Sequence, residues 1–396
     1  MPALTFERAI VARLVKGLEA HGNLVQVVVG PRQVGKTWAA HAVRRQWHGP
    51  VRYAAADQFL PPGPEWIRSH WDLARKDLAD GQALLILDEV QKVRGWADTV
   101  KAEWDADRAL PQAPKVVLLG SSALLLAKGV TESLAGRYLL HRCTHWSWPE
   151  MRGAFGWDLD RWLWLGGYPG TAAFAEDETA WKAYVRDSLI EAVLARDVLS
   201  LQVVAKPALL RQLFALACGY PAQILSYNKM LGQLQEAGNT TTLAHYLELL
   251  GTAFLASGLE SHSPGQVRAR GGSPKLILWN NALVAAMDLR DQVAARRDGE
   301  WWGRVVENAA GAHLLNHLQG LPYRVRHWRR GDDEVDFVVE AGTGVRAIEI
   351  KTSRSRRRSG LPAFLASHPG SRALIVGAGG MPLEEFFASD PREWLP

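Results

Sequence analysis

The segment GPRQVGKT (30–37) constrains this chain more than any other feature. It follows LVQVVV (24–29), a short apolar, β-branched run that reads as a buried strand, and it precedes WAAHAVRRQW, which reads as a helix. The pattern is G-x-x-x-x-G-K-[ST], with Gly30, Gly35, Lys36 and Thr37 in register. Between a strand and a helix such a loop turns successive backbone N–H groups toward a phosphate. Gly30, Pro31, Arg32, Gln33, Val34, Gly35, Lys36 and Thr37 are therefore expected to line a nucleotide. Lys36 brings a point charge to the β- and γ-phosphates, and Thr37 brings a hydroxyl for Mg2+. The expected class is α/β with a parallel sheet, and the expected cofactors are ATP and Mg2+.

A second strand should then end in acids. ALLILDE (83–89) does so, with Asp88 placed to hold Mg2+ through water and Glu89 to polarise the attacking water. A third strand, KVVLLGSS (115–122), ends in Ser121 and Ser122, and either is a candidate to sense the γ-phosphate.

Length and composition bound the rest. At 396 residues the chain has room for two to four domains. Its 47% hydrophobic and 22% charged residues exclude disordered and collagen-like classes. No apolar run approaches a bilayer span, so no membrane partner is expected, and the first residues carry charge where a signal peptide needs an apolar block. Cys143 and Cys218 are the only cysteines, which excludes a disulfide scaffold and a cysteine-rich zinc site and points to a reducing cytoplasm. The net charge is +5, and arginine outnumbers lysine 34 to 12. That bias suits phosphate partners, although a GC-rich genome produces it too. The tryptophans concentrated at 146–164 read as packing.

Residues 206–279 offer two helical runs, a helix from Leu243 behind the polar cluster Asn239–Thr242, and two short strands around a basic glycine-rich loop. Helix–turn–helix followed by a hairpin is the winged-helix pattern. Its tip arginines, Arg268 and Arg270, would rest on DNA phosphates. Further on, a helix carries Glu307, and two strands, EVDFVVE (334–340) and VRAIEIK (345–351), follow. Strand alternation puts Val335, Phe337 and Val339 on one face and Asp336 on the other. It likewise projects Glu349 and Lys351 together, away from Ile348 and Ile350. Asp336, Glu349 and Lys351 can thus meet, with the carboxylates on Mg2+ and the lysine beside the attacking water. Arg324, Arg326, Arg329 and Arg330 precede this set, and Arg354, Arg356, Arg357 and Arg358 follow it. A polyanion such as DNA is the expected partner.

GPRQVGKT, LLILDEVQKVRGW, LLGSSALLL and SLAGR, in this order, resemble the prokaryotic AAA+ ATPases that carry a C-terminal DUF4143 region, and the likeness runs almost end to end. The resemblance implies an AAA+ P-loop core at 1–150, a helical lid at 151–205, a winged helix at 206–285 and a nuclease-like α/β domain at 286–396. It implies that Arg137, in SLAGR, reaches the γ-phosphate of a neighbouring subunit, which requires a homo-oligomer, with a hexamer expected. Gly166-Gly167-Tyr168-Pro169 matches the family's GG-x-P within the lid. The D…E-x-K set resembles the restriction-endonuclease-like fold, and Glu307 matches the extra acid of its Holliday-junction-resolvase-like members. Where the family has Asp–Thr–Gly after the second hairpin strand, this chain has Asn280-Asn281-Ala282. The implied function is an ATP-driven motor or remodeller acting on DNA, with branched DNA included, whose C-terminal domain binds or cuts it. A nucleotide-gated switch that binds without translocating is the alternative, and remodelling of protein partners is a third reading.

Overall fold

The computed structural model describes residues 6–21, 23–57, 60–121, 133–198, 204–236, 238–263, 272–352 and 359–396. Contacts divide the chain into two compact units, Met1–Thr144 and His145–Pro396. Of the four segments expected from the sequence, the last three fall within the second unit, and the first unit ends six residues before the expected boundary at 150.

The first unit is a five-stranded sheet of order β2-β3-β4-β1-β5, with every pairing parallel. Its strands are β1 (Val25–Gly30), β2 (Val51–Ala55), β3 (Leu84–Asp88), β4 (Lys115–Ser121) and β5 (Tyr138–Arg142). All residues of β1 and β3 are buried, as a parallel sheet covered on both faces demands. Val25, Val27 and Val29 pack with Trp71 and Trp96 from the helices Pro64–Asp77 and Trp96–Asp107. On the alternate face Gln26 lies against Gly17 of the helix Ala9–Ala20, which packs on the helix Lys36–Gln46. This is a P-loop α/β core with helices on both faces.

The second unit begins with short helices, Trp148–Phe155 and Leu159–Leu165, built around buried Trp146, Trp148, Trp157, Trp162 and Trp164. The sequence GGYP is a packing device here. A Cβ on Gly166 would lie 2.0 Å from the Asn280 side-chain oxygen, and one on Gly167 would lie 2.1 Å from the Trp146 carbonyl oxygen. Asn280 in turn accepts from the Gly167 and Ala282 amides. Asn281 donates to the Leu163 and Val305 carbonyls, so the departure from Asp–Thr–Gly forms a buried amide network. Helices Pro207–Gly219, Tyr227–Leu231 and Thr240–Thr252 follow, the last capped by Asn239 as its sequence suggests. Then come the antiparallel strands β6 (Ala256–Leu259) and β7 (Lys275–Leu278).

The long helix Gly299–Leu318, capped by Asp298, precedes a four-stranded sheet of order β11-β10-β9-β8. Its strands are β8 (Arg324–Arg330), β9 (Asp333–Ala341), β10 (Gly344–Lys351) and β11 (Arg372–Gly377). The first three run antiparallel, and β11 joins β10 in parallel after the helix Leu361–Ser367. The expected alternation in β9 is corrected by a register shift against β8 between Arg326 and Trp328. Val335 and Val338 share one apolar cluster with Trp328 and Phe364, although strict alternation would separate them. Among the described residues no helix is long and apolar enough to cross a membrane.

Candidate functional site

The loop after β1 is shaped by steric need. A Cβ on Gly30 would lie 1.9 Å from the Cys143 carbonyl oxygen, and Gly35 has φ +85° as it opens the helix Lys36–Gln46. Gln33, inside the loop, also has positive φ, at 58°. Lys36 Nζ donates to the Gly30 and Pro31 carbonyl oxygens at 2.9 and 2.7 Å. Thr37 Oγ1 donates to Asp88 Oδ2 at 2.6 Å, so the two expected Mg2+ groups meet across the gap between loop and β3. Asp88 is 4% exposed, and its other oxygen accepts from the Glu89 amide at 2.8 Å. Glu89 itself has φ 54°, and its carboxylate accepts from Gln91 Nε2 at 2.9 Å with Lys92 Nζ at 3.5 Å. Loop, hydroxyl and acids fit ATP with Mg2+: Thr37 and Asp88 would hold the ion, Lys36 the β/γ-phosphates, and Glu89 a water. Bound Mg2+ would supply positive charge against the transferring phosphoryl group.

Ser121 closes β4, and its backbone is the register partner of Gly30, so that strand end abuts the loop. Ser122 lies outside the described residues, as do Arg268, Arg270, Arg354, Arg356, Arg357 and Arg358.

Two residues of this site escape sequence reading. Tyr53, in β2, donates its hydroxyl to Asp88 Oδ2 at 3.0 Å. Burial first, then the charges of Asp88 and Glu89, push its phenol well above its ordinary range. Arg8, 5% exposed, donates to the Val34 carbonyl at 3.0 Å, to Cys143 Sγ at 3.2 Å and to the Thr144 carbonyl at 3.1 Å. It ties the loop to the end of the first unit. Neither belongs to a local motif: both contacts join residues more than 25 positions apart.

Arg137 stands just before β5, and its carbonyl accepts from the amide of Val25 at the start of β1. The loop lies at the other end of β1, about 16 Å away along the strand. The guanidinium makes a two-point contact with Asp105, at 3.0 and 3.2 Å, and lies over the Trp104 ring.

In the second unit one groove is lined by Glu307, Asp336, Glu349 and Lys351, so the tertiary fold brings the four expected residues to a common site. The detail differs from the expectation. Lys351 pairs with Glu349 at 3.4 Å, and Ser359 donates to Glu349. Asp336 instead belongs with Glu307 and Glu334, whose ligand oxygens all lie within 4.8 Å of one another. At their centre is a residue the motif did not include. Lys275, in β7 and fully buried, forms a close ion pair with Glu307 and lies 3.4 Å from Glu334 and 3.6 Å from Asp336. Its ammonium is also 5.2 Å from the Phe337 ring centre. Burial, then Asp336, pushes the Glu307 carboxyl up, while for Lys275 the opposing effect of burial is outweighed by Glu307, Asp336 and Glu334, which hold it in its charged form. The space a Mg2+ would take among these acids is already filled by a cation, so they do not fit the ion as they stand. Among the nearby arginines, Arg326 is paired with Glu260 and Glu340, Arg330 lies over Trp328, and Arg329 lines the groove.

A parallel sheet of this order, with a phosphate-type loop after β1 and acids after β3, defines an AAA-type P-loop ATPase fold. Residues 22–152 match the AAA domain family, and 302–385 match DUF4143, a domain of unknown function. The chain thus carries an AAA domain followed by a C-terminal DUF4143 region. Residues 156–293 match a further domain of unknown function, DUF8612. Among solved structures it is similar to a Walker-type ATPase of Pyrococcus abyssi, with 14% identity, 71% of this chain and 95% of that chain covered, and a TM-score of 0.50. It also aligns with the RuvB Holliday junction branch migration motor of Thermotoga maritima (14% identity, 65% and 90% covered, TM-score 0.31). DnaA from Aquifex aeolicus, bound to AMPPCP, aligns at 16% identity over 61% and 87% of the two chains, with a TM-score of 0.31. No curated protein matches the chain.

Proposed function

We propose that this protein is an ATP-hydrolysing AAA oligomer that acts on DNA. The observation that carries the ATPase reading is the contact of Thr37 with Asp88 beside the glycine-bounded loop, with Glu89 next in sequence. In this reading Lys36, Thr37 and Asp88 hold Mg–ATP, Glu89 orients the attacking water, and Ser121 or Ser122 senses the γ-phosphate. Arg137 is the finger supplied to a neighbouring subunit. Its place at the opposite end of β1 from its own loop supports action in trans, and a six-membered ring is the assembly proposed. Both cysteines are buried free thiols, which suits a cytoplasmic location.

For the C-terminal region we carry forward DNA binding and not cleavage, because Lys275 occupies the centre of the acids. The four arginines of the edge strand β8 support a polyanion-binding role. Residues 206–285 are proposed as a winged helix with Arg268 and Arg270 at its tip. Residues 151–205 are proposed as the lid.

The test is ATP turnover by a sized oligomer with and without linear, forked and four-way DNA. DNA-stimulated turnover is expected. Slow turnover indifferent to every DNA would leave the nucleotide-gated switch as the better reading, and no turnover with Mg–ATP would overturn both.

A further inference from the structure

We infer that Lys275 is the resident cation of the C-terminal acid cluster, and that Glu307, Glu334 and Asp336 form a lysine-centred cage in place of a divalent-metal site. Three elements distant in sequence meet there: β7 brings the lysine, the helix Gly299–Leu318 brings Glu307, and β9 brings Glu334 and Asp336. The approach is close because the helix presents Gly311 to both strands. A Cβ there would lie 2.8 Å from Ile277 Cδ1 and 2.9 Å from Phe337 Cε1.

A charge with no exposed surface persists only when it is paired. Lys275 has three carboxylates and an aromatic face, and the acids have one another's repulsion relieved by a single ammonium. Its stem is fully buried between strand and sheet, so the ammonium has no route to solvent that would vacate the centre. A divalent ion placed among the same oxygens would sit against that ammonium, and like charge at contact distance is unfavourable even where the acids are only partly buried. One further oxygen is engaged as well: Asp336 Oδ2 accepts from the Ile350 amide at 2.8 Å, which leaves the other edge of that carboxylate for Lys275. The cage therefore joins hairpin, helix and sheet into one body. It owes nothing to the nucleotide site, so failure of either reading leaves the other standing.

The test uses full-length protein carrying Asp88→Asn to silence the ATPase metal, with Mn2+ binding followed by electron paramagnetic resonance and unfolding followed thermally. With Lys275 present, no Mn2+ that depends on Asp336 is expected at millimolar metal. Lys275→Met should lower the melting temperature, bind one Mn2+ per chain, and recover the lost stability as Mn2+ is added. Adding Glu307→Gln should remove that ion again. Stoichiometric Mn2+ on the Lys275 protein that Asp336→Asn abolishes would overturn the inference. So would a folded Lys275→Met protein that melts normally and takes up no ion. If Lys275→Met does not fold, the measurement on the Lys275 protein still decides.

Discussion

At the scale of single residues, the nucleotide site depends on side chains that no motif contains. Tyr53 and Thr37 both donate to Oδ2 of Asp88, so the carboxylate is oriented from β2 as well as from the loop. A hydrogen bond to a charged group is worth about 1.5 kcal/mol, or roughly tenfold in an equilibrium. Tyr53→Phe should therefore raise the Mg2+ concentration for half-maximal ATP turnover about tenfold, with the maximal rate at saturating Mg2+ largely kept. A Mg2+ titration of turnover checks this, and an unchanged midpoint would remove Tyr53 from the site. The P-loop residues and the acids after β3 were legible because each motif lies within one strand–loop–helix unit. Tyr53, Arg8 and Lys275 were not, because their partners lie in strands, loops and a helix distant in the sequence. VRYAA and SPKLILW carry no local sign of what they will touch.

At the scale of elements, the helix Gly299–Leu318 decides how the C-terminal sheet meets β7. Its run Asn308–Leu314 is buried throughout, and small residues at Ala309, Ala310, Gly311 and Ala312 let it approach closely. Gly311→Leu would force Ile277 and Phe337 apart, and such overpacking costs about 1–3 kcal/mol. The denaturant midpoint should fall accordingly. A mutant as stable as the parent would show that the helix has room to retreat. The sequence announced β9 and β10 through their apolar alternation, and their bounds agree within a residue with 334–340 and 345–351. It did not announce the shift in register beside Trp328, which regroups Val335 with Val338, because a bulge is set by pairing with β8 and not by β9 alone. β8 was hidden for a related reason: RVRHWRR reads as a charged stretch, yet as an edge strand it needs few apolar residues.

At the scale of the whole molecule, turnover should require more than one copy of the chain. Arg137 rests on Asp105, at the end of the sheet remote from its own loop. Arg137→Ala is expected to bind ATP normally but lose turnover by a factor of about 1,000 or more, as removal of an arginine finger does. In mixtures with the parent protein, activity should fall faster than the mutant fraction rises. Normal hydrolysis by the mutant would reduce Arg137 to a surface ion pair. From the sequence alone came the P-loop core, the order of its motifs and the location of a C-terminal acid set, since periodicity and motif spacing are local properties of a chain. Only the tertiary structure decided what those acids surround. Whether a carboxylate cluster holds a metal or a lysine depends on which distant strand is packed against it, and here β7 delivers an ammonium to its centre.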